Sequence, residues 1–255
     1  MKASERIGSI ISQIPYNGFI MVKDLSRMFG VTEETIRRDL GRIVDMNIGI
    51  CKVHGGAYRV SKGDESSPFS FRSTIMVEEK KALADYCVSC IKPEDCVMLD
   101  SSTTALFIAR RISEAKLRVT LVTNSLPIAR EFECDENAKV ICIGGQLRKR
   151  NESLIGYQAV QMLRNYCGDC CFVSPTSVDE KFGLTDHSEG EAEIRKCMLE
   201  QSSRRYLVVD HTKFGSSCIN RISDFSSVDA VVTDTEPSER WKKLFESKGI
   251  AIHSC

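Results

Sequence analysis

Between Glu5 and Ile14 the apolar positions Ile7, Ile10, Ile11 and Ile14 recur at helical spacing, with Ser4 placed to cap the start and Pro15 following the run. A first helix is expected there. Gly18 to Val22 reads as a short extended stretch, and Lys23 to Phe29 sets Leu25, Met28 and Phe29 on one side of a second short helix closed by Gly30. Thr32 is an N-cap for a third helix running to about Asp45, and Glu33 and Glu34 complement its dipole. On that helix Ile36, Leu40 and Ile43 fall within about 60° of one another at about 100° per residue, which defines a buried stripe. Glu34, Thr35, Arg38, Gly41 and Arg42 point away from the stripe, with Arg37 at its margin. Ile48 to Val60 then offers two short extended pieces around His54-Gly55-Gly56, a β-hairpin or a strand leading into a loop.

Gly63 to Ser70 has no apolar period and is rich in Gly, Ser and Pro, so it reads as a linker. After it the pattern changes to alternating helix and strand. Continuously apolar runs occur at Cys96 to Leu99, Val119 to Val122, Val140 to Ile143, Cys170 to Val173, Tyr206 to Val209 and Ala230 to Val232. Runs that are apolar throughout belong to strands covered on both faces, which argues for a largely parallel α/β sheet. The expected organisation is a helical domain over residues 1–62, a linker over 63–70 and an α/β domain over 71–255.

With 42% hydrophobic and 27% charged residues in 255, the chain builds real cores, and intrinsic disorder is excluded as its main state. No apolar run approaches the roughly 18 residues of a membrane helix, and the start lacks the apolar stretch of a signal peptide. A soluble, cytoplasmic protein with no membrane partner is expected. The twelve cysteines then read as reduced thiols serving as small packing residues. Two Cys-x-x-Cys spacings, Cys87 with Cys90 and Cys167 with Cys170, would have to converge to make a zinc site; no metal and no cofactor is expected. The zero net charge conceals an asymmetry: residues 1–62 hold ten Lys or Arg against six Asp or Glu, or +4, and the remainder carries −4.

Two helices joined by a tight turn at Gly30, the second with an exposed Thr/Arg face, form a helix-turn-helix arrangement. Charge spacing alone reads Arg37, Arg38 and Arg42 as a solvated face paired with Glu33, Glu34 and Asp39. The wider pattern reverses that reading. Asp24-Leu25, Phe29-Gly30-Val31-Thr32, Thr35-Ile36-Arg37-Arg38-Asp39-Leu40 and His54-Gly55-Gly56-Ala57 together closely resemble the DNA-binding domain of DeoR-type bacterial transcriptional regulators. The resemblance implies a winged helix with the Arg-Arg helix in the major groove and Thr32, Glu34, Thr35, Arg37, Arg38, Arg42, Lys52 and His54 as DNA-contact candidates. The chain departs from the family at Met46-Asn47-Ile48-Gly49, where a Glu-Gly pair is usual.

In an open parallel sheet, ligands sit beyond the carboxyl ends of the strands. There the chain places Asp100-Ser101-Ser102-Thr103-Thr104 before a helix, Thr123-Asn124-Ser125, Gly144-Gly145, and Asp210-His211-Thr212-Lys213. Hydroxyls and free N–H groups at a helix start suit a phosphate, Lys213 offers it a positive charge, and Asp100, Asn124 and Asp210 suit sugar hydroxyls. Each also has a bland reading: N-caps for Ser102 to Thr104, a surface salt bridge for Asp210 and Lys213, a turn for Gly144 and Gly145. The Asp-x-Ser-Thr-Thr, Val-Thr-Asn-Ser, Ile-Gly-Gly, Phe182-Gly183-Leu184-Thr185, Glu189-x-Glu191-Ala192 and Asp210-x-Thr212-Lys213-Phe214 words are similar to the sensor domain of the same family, which resembles ribose phosphate isomerase and coenzyme A transferase folds. This implies a phosphorylated sugar or related effector near Asp100, Ser102, Thr103, Thr104, Asn124, Ser125, Gly144, Gly145, Asp210 and Lys213. Departures are Ser102 for a common Gly, Ser174-Pro175-Thr176-Ser177 for a Gly/Asn-rich loop, and Arg195 for a usual Lys.

The combined reading is a sequence-specific repressor, not an enzyme, that binds operator DNA as a homo-oligomer and is modulated by its effector. The alternatives are a sugar phosphate isomerase-like enzyme with an accessory DNA-binding domain, for which Asp179 and Glu180 are the acid/base candidates near the Asp100 loop, and a constitutive DNA-binding protein with an empty pocket.

Overall fold

The computed structural model describes residues 3–14, 19–46, 50–53, 55–59 and 69–255. The chain divides into two compact units, Met1–Ile75 and Met76–Cys255. His54 and residues 63–68 of the expected linker lie outside the described residues.

In the first unit, α1 (Ala3–Gln13), β1 (Phe19–Met21), α2 (Val22–Phe29), α3 (Glu33–Asp45), β2 (Ile50–Val53) and β3 (Gly56–Arg59) follow in order. Ser4 lies inside α1 instead of capping it. Gly30 ends α2 in the left-handed conformation, with φ 62°. The Thr32 hydroxyl accepts the Thr35 N–H at 3.3 Å and caps α3. Ile36, Leu40 and Ile43 are fully buried against Ile7, Ile10, Ile14 and Leu25, at about 1.5–3 kcal/mol per side chain. β2 and β3 pair antiparallel, and β1 adds to β3. The double glycine has a steric cause: Gly55 has φ 83°, and a Cβ on Gly56 would lie 2.3 Å from the Ile20 carbonyl oxygen. Only a residue without Cβ lets β1 approach β3 there. A short helix, α4 (Phe69–Arg72), takes up the last two residues of the expected linker.

The second unit runs α5 (Val77–Ser89), β4 (Cys96–Leu99), α6 (Thr103–Glu114), β5 (Val119–Thr123), α7 (Leu126–Arg130), β6 (Ala138–Cys142), β7 (Gln146–Arg148), β8 (Ser153–Ile155), α8 (Tyr157–Leu163), β9 (Gly168–Val173), β10 (Ser177–Asp179), β11 (Gly183–Asp186), α9 (Glu189–Glu200), β12 (Ser202–Val209), β13 (Asn220–Ser223), β14 (Ala230–Thr233), α10 (Glu239–Ser247) and β15 (Ala251–Ser254). Its main sheet has the order β15-β14-β12-β9-β4-β5-β6, and every pair in it is parallel. Met98, Val122, Cys171, Leu207 and Val231 point to one face, into a core shared with Ile194, Met198, Trp241 and Phe245 of α9 and α10. The alternate positions Leu99, Leu121, Phe172, Val208 and Val232 are buried as well, which explains the continuously apolar runs.

The chain leaves β4 toward β5 and β6, then returns to its other side with β9. The strand order therefore reverses between β4 and β9, the place where open α/β sheets form a crevice. Two small antiparallel sheets, β7-β8 and β10-β11-β13, complete the unit. No helix among the described residues is long and apolar enough to cross a membrane.

Candidate functional site

On α3, Arg37 is held by Glu33 at 2.7 Å and Glu34 at 3.6 Å. Arg38 and Arg42 are exposed, with no carboxylate partner among the described residues. Asp39 does not join this face: it is buried and accepts a hydrogen bond from Arg6 Nε at 2.6 Å, tying α1 to α3. That bond raises the Arg6 pKa above its ordinary value. Lys52, on β2, is exposed and donates to the Arg37 carbonyl at 3.4 Å, so the hairpin lysine stands beside the helix arginines. Thr32 and Glu34 are exposed at the start of α3, and Thr35 is half-buried.

In the second unit the ten effector candidates all fall at the carboxyl edge of the sheet, and most of them have local partners. Ser102 caps α6 by accepting the Ala105 N–H at 3.0 Å, and Ser125 caps α7 by accepting from Ile128 N at 3.4 Å. The Asp210 carboxylate accepts from Thr212 N at 3.0 Å and from the Thr212 hydroxyl. Thr104 accepts a hydrogen bond from the Ser174 hydroxyl at 3.3 Å. Gly145 is a packing glycine, since its Cβ would lie 2.7 Å from the Ile155 carbonyl oxygen and 2.9 Å from Ala159 Cβ. Gly144 is exposed, and its N–H points at Met162 Sδ at 3.3 Å. Thr103 is buried in the first turn of α6. The Lys213 side chain is half-buried, with no ion-pair partner among the described residues.

Asp100 is fully buried at the β4/β9 reversal. It accepts from Ser102 N at 3.0 Å, from Ser174 N at 2.9 Å and from Arg195 Nε at 2.6 Å. Arg195 also donates to Asp186 at 2.7 Å, and Asp186 accepts from Thr176 at 3.0 Å and Ser188 N at 3.0 Å. Burial works against the charge on Arg195, but Asp186, Asp100 and Glu191 outweigh it and hold the guanidinium above its ordinary pKa. Burial likewise opposes ionisation of Asp186, and Arg195 with the backbone donors holds its pKa below the usual value. The guanidinium thus bridges the two carboxylates at the strand reversal.

A second buried cluster adjoins it. Glu191, at the start of α9, accepts from Ser101 and Ser153 at 2.5 Å each and from Asn151 at 2.8 Å, with Arg148 3.9 Å away. Asn151, Ser153 and Arg148 belong to the β7-β8 hairpin, so Glu191 clamps that hairpin to the Asp100 loop. Leu154 N donates to the Asn124 carbonyl at 2.8 Å, and Asn124 Nδ2 donates back to the Leu154 carbonyl at 3.1 Å. Nothing in the sequence pointed to Asp186, Asn151 or Ser153 in these clusters, and Arg195 stood out only as a departure from a usual Lys. Glu191 was visible as a motif word without a partner.

Asp179 and Glu180, the acid/base candidates of the isomerase reading, are engaged elsewhere. Asp179 accepts from Lys181 N and Phe182 N at 2.9 Å each in the β10-β11 turn, and Glu180 pairs with Arg240 at 2.5 Å. A surface cavity of about 350 Å³ lies at the opposite edge of the sheet, before β5 and β6, and is lined by Ser113, Lys116, Glu131 and Asp135 among others. It contains none of the candidates. Burial pushes the Cys170 and Cys171 thiols up to about 12, so both are protonated packing residues at neutral pH.

A helix-turn-helix with a strand pair at its side, joined in one chain to a parallel α/β unit with a buried polar cluster at its strand reversal, is the build of a ligand-sensing DNA-binding regulator. The sequence matches the DeoR-like helix-turn-helix domain over residues 6–62 and the DeoR C terminal sensor domain over residues 75–235, and the chain belongs to the DeoR family of transcriptional regulators. It is 32% identical over 252 residues to YulB, an uncharacterized HTH-type transcriptional regulator of Bacillus subtilis, covering 99% of this chain and 96% of that one. It is 28% identical to the glycerol-3-phosphate regulon repressor of Escherichia coli over the full length of both. Among solved structures, ribose 5-phosphate isomerase A of Methanocaldococcus jannaschii overlaps 53% of each chain, at 19% identity and a TM-score of 0.39. The protein is a DNA-binding transcriptional repressor with an effector-modulated sensor domain.

Proposed function

We propose that the repressor reads its operator through the outward face of α3 and the hairpin beside it, using Thr32, Glu34, Thr35, Arg37, Arg38, Arg42, Lys52 and His54. The observation that carries this reading is the pair Arg38 and Arg42, exposed on α3 and unclaimed by any carboxylate among the described residues. Free guanidinium forks suit guanine edges and phosphate oxygens. Arg37, tied to Glu33, contributes less. A single recognition helix binds weakly, so the chain works as a homo-oligomer on repeated half-sites, in the cytoplasm.

The effector is a phosphorylated sugar or polyol, bound at the carboxyl edge of the sheet among Asp100, Ser102, Thr103, Thr104, Asn124, Ser125, Gly144, Gly145, Asp210 and Lys213. The name of the glycerol-3-phosphate regulon repressor supports that ligand class. By binding the two states of the repressor with different affinity, the effector shifts the DNA-competent population. The chain is not an enzyme in this reading, which the engagement of Asp179 and Glu180 away from the Asp100 loop supports.

Fluorescence anisotropy on DNA from upstream of the protein's own gene tests the reading, against a scrambled duplex, at two salt concentrations and with a panel of sugar phosphates. Specific binding with a steep salt slope, relieved by a panel member, is the expected result. Turnover of a pentose or hexose phosphate that disappears in Asp179→Asn would overturn it in favour of the enzyme.

A further inference from the structure

Among the candidate side chains at the carboxyl edge, one buried polar atom has no partner. Asn124 is completely inaccessible, and its Oδ1 accepts no hydrogen bond from any described group. Its orientation is fixed, because Nδ2 is committed to the Leu154 carbonyl and the backbone carbonyl to Leu154 N. Turning the amide over would set oxygen against oxygen. The hairpin that holds it is itself fastened through Ser153 and Asn151 to Glu191. A buried carbonyl oxygen is a costly group to leave unmet, and its chemistry selects what can meet it: a donor, never another acceptor. A phosphate ionised at neutral pH offers almost only acceptors, whereas a sugar hydroxyl donates. The neighbouring Asp100 carboxylate, by contrast, already accepts from Arg195, Ser102 N and Ser174 N.

We propose that Asn124 Oδ1 is the hydroxyl-reading point of a ligand subsite beneath the β7-β8 hairpin, so that the effector enters with its sugar hydroxyls toward Asn124 and its phosphate away from it. The proposal rests on the reading of the sensor domain as a sugar-phosphate site and assigns the ligand's direction within it.

The test uses the full chain and four probes in calorimetric titrations: glycerol 3-phosphate, ribose 5-phosphate, fructose 6-phosphate and inorganic phosphate. Asn124→Leu keeps the side-chain volume and removes the acceptor. It is expected to weaken the sugar phosphate that binds best by about tenfold; because it also removes the Nδ2 donor to the Leu154 carbonyl, some loss in thermal unfolding accompanies it, and a ligand-bound structure separates that loss from the lost acceptor. Unchanged sugar-phosphate affinity in the variant overturns the Asn124 assignment and leaves the sugar-phosphate reading standing. Failure of every sugar phosphate to bind the unmutated protein overturns both. A ligand-bound crystal structure decides independently of how the variant folds: a ligand hydroxyl at hydrogen-bond distance from Oδ1 supports the proposal, and a phosphate oxygen or a retained water there refutes it.

Discussion

Replacing Arg195 by Met removes one cation from between two buried carboxylates at nearly constant volume. Asp100 has no exposed surface and Asp186 is 5% exposed, so neither regains water without the sheet edge opening. Breaking a buried ion pair from one side costs about 3–5 kcal/mol, because the charge left behind is uncompensated. Two charges are left here, but Asp100 keeps the Ser102 and Ser174 amides and Asp186 keeps Thr176 and Ser188 N, which holds the expected loss near that range. Urea unfolding followed by tryptophan fluorescence measures it cleanly: Trp241 is the single tryptophan and lies buried in the sensor core. Acidity adds a second reading. In the unmutated protein the depressed Asp186 pKa contributes stability that is complete above the unfolded carboxylate value near about 4, and is lost as pH falls through the folded value. In the variant, burial without a cation pushes the Asp186 carboxylate up, so its deficit narrows from pH 7 toward pH 5. A loss below about 1 kcal/mol at pH 7, or a deficit that widens on acidification, would show that Arg195 is not holding the two charges.

Arg38→Ala is expected to weaken operator binding by about 1–3 kcal/mol with relaxed sequence preference, measured by anisotropy on wild-type and mismatched duplexes; an equal loss on every sequence would mark a phosphate contact. Lys213→Ala should retain operator binding and lose the response to the sugar phosphate, and an unaltered response removes the lysine from the pocket. Gly145→Ala drives a methyl into the Ile155 carbonyl and should lower stability by about 1–3 kcal/mol in thermal or urea unfolding. A neutral substitution there would mean that the close approach between Gly145 and the β7-β8 hairpin is dispensable.

Where a local pattern carries the physics, the sequence was readable. Ile36, Leu40 and Ile43 make their own stripe within three turns, and the runs in β4, β5, β9, β12 and β14 are apolar throughout because both faces of those inner strands are covered. β15 escaped because Ala251-Ile252-His253-Ser254 is short, half polar and lies at an edge, without two covered faces to write an apolar run. β10 and β11 escaped because they are short and half polar, and β13 because its partner β11 lies far back along the chain, Leu184 pairing with Ser223. The site divides in the same way. Residues after strand ends announce themselves, but Arg195 meets Asp100 across 95 positions, and nothing near either residue signals the bond. Asp39 misled for a related reason: its helical spacing suggested a surface pair, and its partner, Arg6, comes from another helix.

The order of the main sheet leaves β6 and β15 as its outermost strands. Each has one row of backbone groups with no neighbour in that sheet, and such a row invites a strand from another molecule. The chain guards both borders by composition: β6 sets the exposed Lys139 in its first half, and β15 is four residues long with a polar end. Exchange of Lys139 for valine would remove that guard without touching the core or the crevice. The consequence belongs to the crowd of molecules: filaments or precipitate at high concentration from a protein whose single copies fold and bind as before.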